Sequence, residues 1–90
     1  MTPEDKEILR HAVIEELAAR HPVPVNTEGV RRKMAVTVAG KVTLEDVASA
    51  LAVLRDQGLV DAIPDDLGST TWWRATGAGV LRVERGNGRG

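Results

Sequence analysis

The stretch from Thr43 to Thr76 constrains the fold of this chain most, because it combines two helix-capping residues, a glycine stop and a turn between two short apolar runs. Thr43 can cap the first backbone donors of a helix, and Asp46 can reach back to complete a capping box. The helix is expected to end at Gln57 or Gly58, since glycine adopts a left-handed cap most easily. Apolar residues at spacings of three and four predict one buried face, formed by Leu44, Val47, Ala48, Leu51 and Leu54.

A β-hairpin is predicted to follow this helix. Residues 59–63 are apolar and rich in strand formers, and residues 70–75 have the composition of a second strand. Residues 64–69 between them hold Pro, Asp, Asp and Gly, which favour a turn. The connection is therefore expected to span roughly six residues.

Helix one is predicted to begin almost at the first residue, because Thr2 can cap it, Pro3 suits its first turn and two acidic residues follow. It should end before Pro22, since a residue preceding proline is disfavoured in helical geometry. Its expected core face holds Leu9, Val13 and Leu17, with Ile14 and Ala18 beside them. A second apolar strip, Ile8, Ala12 and Ala19, could pack under the C-terminal segment or against a second subunit.

Shorter elements are expected on either side of the predicted central helix. Residues 23–25 form a candidate edge strand, and Asn26 or Thr27 can cap a short helix over residues 28–35. Residues 36–42 then form a turn, with its sharpest point at Gly40. After the hairpin, Thr76 can cap a brief apolar segment in which Gly77 and Gly79 make any helix marginal.

Length and composition agree with one small domain over residues 1–85 and a flexible Gly/Arg tail over residues 86–90. The chain of 90 residues is 42% apolar and 28% charged, which is ordinary for a soluble globular domain. Because it has no apolar run of membrane-spanning length and no secretory leader, we expect a cytoplasmic location without membrane contact. The absence of cysteine excludes disulfides and thiolate metal sites.

Catalytic classes have little support in the sequence. His11 and His21 fall on different sides of helix one and its end, and no carboxylates cluster at metal-ligand spacing. The glycines at 77 and 79 lack the Lys-Ser/Thr continuation of a phosphate-binding loop. We therefore expect no enzyme activity, no metal and no cofactor.

The predicted order of elements resembles that of winged helix-turn-helix transcription regulators. Leu-Arg-Asp-Gln-Gly-Leu-Val at 54–60, an acidic turn, and Trp-Trp-Arg-Ala-Thr at 72–76 followed by Gly79 are similar to a passage of the MarR and PadR groups. Ala75 stands where those families usually have Leu. The resemblance covers roughly residues 3–85 and implies an α+β fold of three helices, a β-hairpin wing and a short C-terminal helical segment. The compact size is also similar to that of small phage-encoded winged-helix proteins.

The resemblance implies double-stranded DNA as a ligand, with helix three in the major groove and the hairpin turn at the backbone or minor groove. Candidate contacts are Arg31, Arg32, Lys33 and Lys41 for the backbone, Ser49 and Gln57 for base edges, and Arg74 near the wing. The side of helix three opposite its predicted core stripe, however, holds Glu45, Asp46, Ser49, Ala52, Val53, Asp56 and Gln57. Carboxylates near phosphate oppose binding, as do Asp65 and Asp66 at the wing tip.

Charge is unevenly distributed along the chain. Residues 22–43 carry four basic residues against one acidic residue, whereas residues 44–69 carry one basic residue against six acidic ones. Residues 70–90 hold four arginines, including Arg89, against one glutamate. Any nucleic-acid footprint should therefore use helix two and the C-terminal arginines, unless the run Arg31-Arg32-Lys33 is only a solvated face.

A second interpretation is a protein-interaction module on the same scaffold, since a fold does not fix a function. Strand alternation predicts Trp73 and Ala75 inward and Trp72 and Arg74 outward, and an exposed indole is a common interface anchor. The alternative is that both indoles are structural. Candidate contacts for a protein partner are Glu45, Ala52, Val53, Asp56, Asp65, Asp66 and Trp72. A homodimer through helix one is a further alternative, because DNA readers of this type usually pair.

Overall fold

A computed structural model describes residues 1–38 and 41–87, which form an α+β fold of four helices and a three-stranded antiparallel sheet. The elements in chain order are α1 (Pro3–Arg20), β1 (Val25–Asn26), α2 (Thr27–Thr37), α3 (Leu44–Asp56), β2 (Val60–Pro64), β3 (Thr71–Ala75) and α4 (Gly77–Asn87). The predicted Gly40 turn and Arg89 lie outside the described residues. Within the described ranges, no helix is both long and apolar enough to cross a membrane.

The predicted helix starts are confirmed by side-chain caps. Thr2 Oγ1 accepts a hydrogen bond from the Asp5 amide at 3.1 Å, and Asp5 reaches back to the Thr2 amide. Thr43 and Asp46 form the same reciprocal pair at the start of α3, with both bonds at 3.1 Å. Asn26 is the residue that caps α2, through its Oδ1 atom and the Gly29 amide at 2.7 Å. Local sequence chemistry therefore sets where these three helices begin.

The α3 capping box makes the stability of the folded protein depend on pH. Hydrogen bonds from the backbone and side chain of Thr43 lower the pKa of Asp46. Because the folded value lies below the unfolded one, this stabilisation is present above the unfolded pKa and is lost as the pH falls through the folded pKa.

We expect Asp46→Asn to flatten the acid limb of the stability curve. The parent protein should lose stability as the pH falls below about 5 and on through the lowered folded pKa of Asp46, whereas the variant, already weaker at neutral pH, should lose less over that range. Urea unfolding followed by circular dichroism at several pH values measures both curves. If the curves run parallel, the Asp46 carboxylate does not contribute in this way.

The predicted hairpin and its turn are also confirmed. Gly58 follows α3 with a φ of 75°, the left-handed conformation that glycine adopts without strain. Strands β2 and β3 pair from Val60 with Ala75 to Pro64 with Thr71, which leaves a six-residue connection over 65–70. Strand β1 pairs with the other edge of β3, so that the sheet order is β1-β3-β2.

The core lies between the helices and the inner face of the sheet. Trp73 and Ala75 point inward with exposures of 7% and 0%, as strand alternation predicts. The Trp73 indole also donates a hydrogen bond to Thr27 Oγ1 at 2.9 Å. The helical core residues are Leu9, Val13, Ile14 and Leu17 of α1, Val30 and Met34 of α2, and Val47, Ala50, Leu51 and Leu54 of α3.

The predicted buried stripe of α3 is wrong at two positions. Leu44 is 48% exposed and Ala48 is exposed, whereas Ala50, which was not expected in the core, is buried. Each residue turns the helix by about 100°, so a buried face centred on Val47 and Leu54 includes Ala50 and leaves Ala48 at its margin. Leu44 lies in the first turn, near the end of the helix.

Helix α4 is longer and better anchored than its glycines predict. Thr76 Oγ1 accepts a hydrogen bond from the Gly79 amide at 3.0 Å and donates one to the Gly58 carbonyl oxygen at 2.8 Å. The helix continues to Asn87, two residues beyond the predicted domain boundary. Residues 88–90 of the predicted tail lie outside the described residues. This capping helps to join the end of the hairpin to the residues that follow α3.

Candidate functional site

The candidate site consists of the outward side of α3, the adjacent basic part of α2 and the tip of the β2–β3 hairpin. Helix α3 packs against both α1 and α2 and leads directly into β2, so its remaining side faces outward. The predicted outward residues Glu45, Ser49, Val53, Asp56 and Gln57 are exposed. Asp46 and Ala52 are half-buried, and Asp46 is occupied as a cap.

The two predicted base-reading residues lie on the α1 side of α3. Ser49 lines a depression with Lys6 and Arg10 of α1, and Glu45 and Asp46 of α3 line it as well. Gln57 lines a neighbouring depression that also includes Arg10 and, from α4, Arg82. Lys6 and Arg10 therefore supply positive charge near α3 that sequence reasoning did not assign to the site, because α1 is distant in the chain. Arg82 is one of the C-terminal arginines expected to contribute to a nucleic-acid footprint.

The basic run of α2 is partly neutralised by Glu28. Arg31 Nη2 lies 2.7 Å from Glu28 Oε1, and Arg32 Nε lies 3.5 Å from the same oxygen. The hydrogen bond from Arg31, together with the charges of both arginines, lowers the pKa of Glu28 and keeps its carboxylate ionised. Arg32 nevertheless has 76% of its side chain exposed, and Lys33 and Lys41 are exposed. Arg32, Lys33 and Lys41 therefore remain the main candidates for contacts with phosphate.

The hairpin presents an acidic and apolar tip. The Asp65 side chain accepts a hydrogen bond from the Leu67 amide at 3.1 Å and so helps to shape the turn. Asp66 is exposed, and Leu67 is 98% exposed. Sequence reasoning assigned the two aspartates to the tip but overlooked Leu67, because a leucine inside a predicted turn carries no periodic signal.

The outer face of the sheet carries Trp72 and Arg74, as alternation predicts. Both side chains are half-buried, and Trp72 lies opposite Ile63 in the β2–β3 register. Arg74 Nη2 is 4.0 Å from the Asp61 carboxylate on β2, and this pair lies at the surface. A partly exposed ion pair of this length contributes little to stability, so Arg74 can exchange its partner at small cost.

The described residues show no group of three or more His, Cys, Asp or Glu side chains that could hold a metal ion. His21 instead has a structural contact, since its Nδ1 atom lies 2.9 Å from the carbonyl oxygen of Ala75. This contact joins the end of α1 to the end of β3.

Comparison with known proteins adds no family assignment. No protein-family model matches the chain, and no curated protein matches it. The class that the coordinates define is an α+β fold with four helices and a three-stranded antiparallel sheet in the described ranges.

Proposed function

We propose that this protein is a small winged helix-turn-helix regulator that binds double-stranded DNA and controls transcription. The observation that carries the proposal is the arrangement of elements: a helix, a short edge strand, two helices and a hairpin, with the sheet order β1-β3-β2. This order supports the resemblance to MarR and PadR regulators. Helices α2 and α3 form the helix pair of this arrangement, and one side of α3 is left open to a ligand.

In the proposed complex, α3 enters the major groove and the hairpin tip approaches the backbone or the minor groove. Ser49 and Gln57 offer polar groups for base edges, while Arg32, Lys33 and Lys41 contact phosphates. Arg31 and Arg74 can join them by leaving Glu28 and Asp61, with which they pair at 2.7 Å and 4.0 Å. Affinity is modest because few cations face the DNA and several carboxylates lie nearby.

A salt series tests this electrostatic arrangement. Three neutralised phosphates give a slope of about −2.7 in log affinity against log salt, or roughly a 40-fold loss of duplex affinity between about 50 and 200 mM salt. Fluorescence anisotropy with a labelled duplex measures it. Arg32→Gln should make the slope shallower by about 1.

The matched control is Arg20→Gln, which removes an exposed arginine at the end of α1 that is not among the proposed DNA contacts. It should leave the slope unchanged. An absent or salt-independent response of the parent protein would rule out phosphate-dominated binding.

A second candidate function is a protein-interaction module, favoured by the acidic and apolar character of the same surface. Glu45 and Asp56 flank the half-buried Ala52 and the 38% exposed Val53 on α3. Asp65, Asp66 and Leu67 occupy the hairpin tip, and Trp72 lies half-buried on the sheet. Asp56→Asn separates the two candidates, because removing a carboxylate next to phosphate should raise duplex affinity only if α3 faces DNA.

A further inference from the structure

An open groove runs between α1 and α2, outside the surface used in the proposed DNA complex except for Lys33. It has a volume of about 820 Å³. Its apolar part is formed by Ile8 and Ala12 of α1, by Met34 of α2 and by Val38, which follows α2. Ile8 is 56% exposed, so a large aliphatic side chain lies uncovered beside this groove.

The border of the groove is strongly acidic. Four glutamates of α1, Glu4, Glu7, Glu15 and Glu16, line it, with Lys33 as the only Lys or Arg among the lining residues. Glu16 is paired with Arg20 at 2.6 Å, whereas Glu4, Glu7 and Glu15 are exposed. The groove thus combines an apolar floor with a negatively charged border.

We propose that this groove binds a basic amphipathic helix of a partner protein. The lining extends along α1 from Glu4 to Glu16, which corresponds to about 18 Å, or roughly three helical turns of a ligand. Aliphatic side chains of the ligand cover Ile8 and Ala12, as in other helix-in-groove complexes. Lys or Arg side chains of the ligand face Glu4, Glu7 and Glu15, and this complementarity selects a basic partner.

Charge also argues against a second copy packed groove to groove. Such an arrangement would bring the glutamates of the two α1 helices together, and like charges brought together at an interface are costly. The chemistry of the groove therefore favours a partner of opposite charge.

The probe is a fluorescein-labelled helical peptide of about 14 residues with Leu at helical spacing on one face and Lys on its flanks. A second peptide carries Glu in place of every Lys. Titration with the full chain, followed by anisotropy, should show binding of the Lys peptide and at least tenfold weaker binding of the Glu peptide. Ile8→Ala and Glu15→Gln should each weaken binding of the Lys peptide several-fold. Leu81→Ala, which shortens a 46% exposed leucine of α4, is the matched control and should change nothing.

The proposal is overturned if the Lys peptide does not bind at up to about 1 mM protein, if both peptides bind equally, or if Ile8→Ala and Glu15→Gln leave binding unchanged. Sedimentation tests the other occupant, because a dimer that Ile8→Ala dissociates would show that a second copy fills the groove. Peptide binding without duplex binding would contradict only the proposed function, and duplex binding without peptide binding would contradict only the groove proposal.

Discussion

Leu51→Ala should lower the free energy of unfolding by about 2–5 kcal/mol, the range for removing a large aliphatic side chain from a packed core. Leu51 has 0% exposure and belongs to the buried hydrophobic core. In a chain of 90 residues without disulfides, a loss of this size is a large part of the total stability. Urea unfolding monitored by circular dichroism measures it.

Leu44→Ala is the matched control, since it is the same substitution on the same helix. Leu44 is 48% exposed, so its truncation should cost less than about 1 kcal/mol. The buried face predicted from the sequence includes Leu44, and it therefore predicts comparable losses of stability for Leu51→Ala and Leu44→Ala. Because Leu44 and Leu51 lie on nearly the same face of α3, equal losses would show that the first turn of α3 is covered and that Leu44 is part of the core.

Gly79→Ala should destabilise the protein by about 3 kcal/mol, at the upper end of overpacking effects. A Cβ atom at this position would collide with the carbonyl oxygen of Leu59 and lie 3.1 Å from Ile14 Cδ1. The Leu59 oxygen also accepts a hydrogen bond from the Thr76 amide at 3.0 Å, so it cannot retreat without weakening the start of α4. We expect a lower urea midpoint together with a loss of helical signal.

Gly77→Ala tests whether the destabilisation by Gly79→Ala comes from the contact with the Leu59 carbonyl oxygen or would follow from replacing any glycine in the first turn of α4. A Cβ atom at Gly77 would meet nothing within 4 Å, and α4 begins at this residue. Alanine has the higher helix propensity, so this variant should be neutral or more stable by up to about 1 kcal/mol. Equal stability of the two variants would mean that α4 does not rest on the Leu59 carbonyl.

The candidate binding surface was only partly predictable from the sequence. Glu45 and Asp56 of α3 are exposed as helical periodicity predicts, and Asp66 is exposed in the turn, whereas Asp46 and Asp65 are half-buried. The Glu28–Arg31 pair was not anticipated, although an acidic residue three positions before an arginine on a helix is a recognisable signal. The approach of Lys6 and Arg10 of α1 to this region had no signal in the sequence.

Local chemistry encoded in the sequence determined where the helices begin, where α3 stops and how the hairpin turns, because caps, a left-handed glycine and turn residues act over three or four positions. Only the tertiary structure decided that Ala50 is buried while Leu44 is exposed, and why Gly79 is required, since these depend on atoms brought together from distant segments. The groove between α1 and α2 was also decided by the tertiary structure, because the exposed Ile8 becomes part of a groove only when α2 packs beside α1.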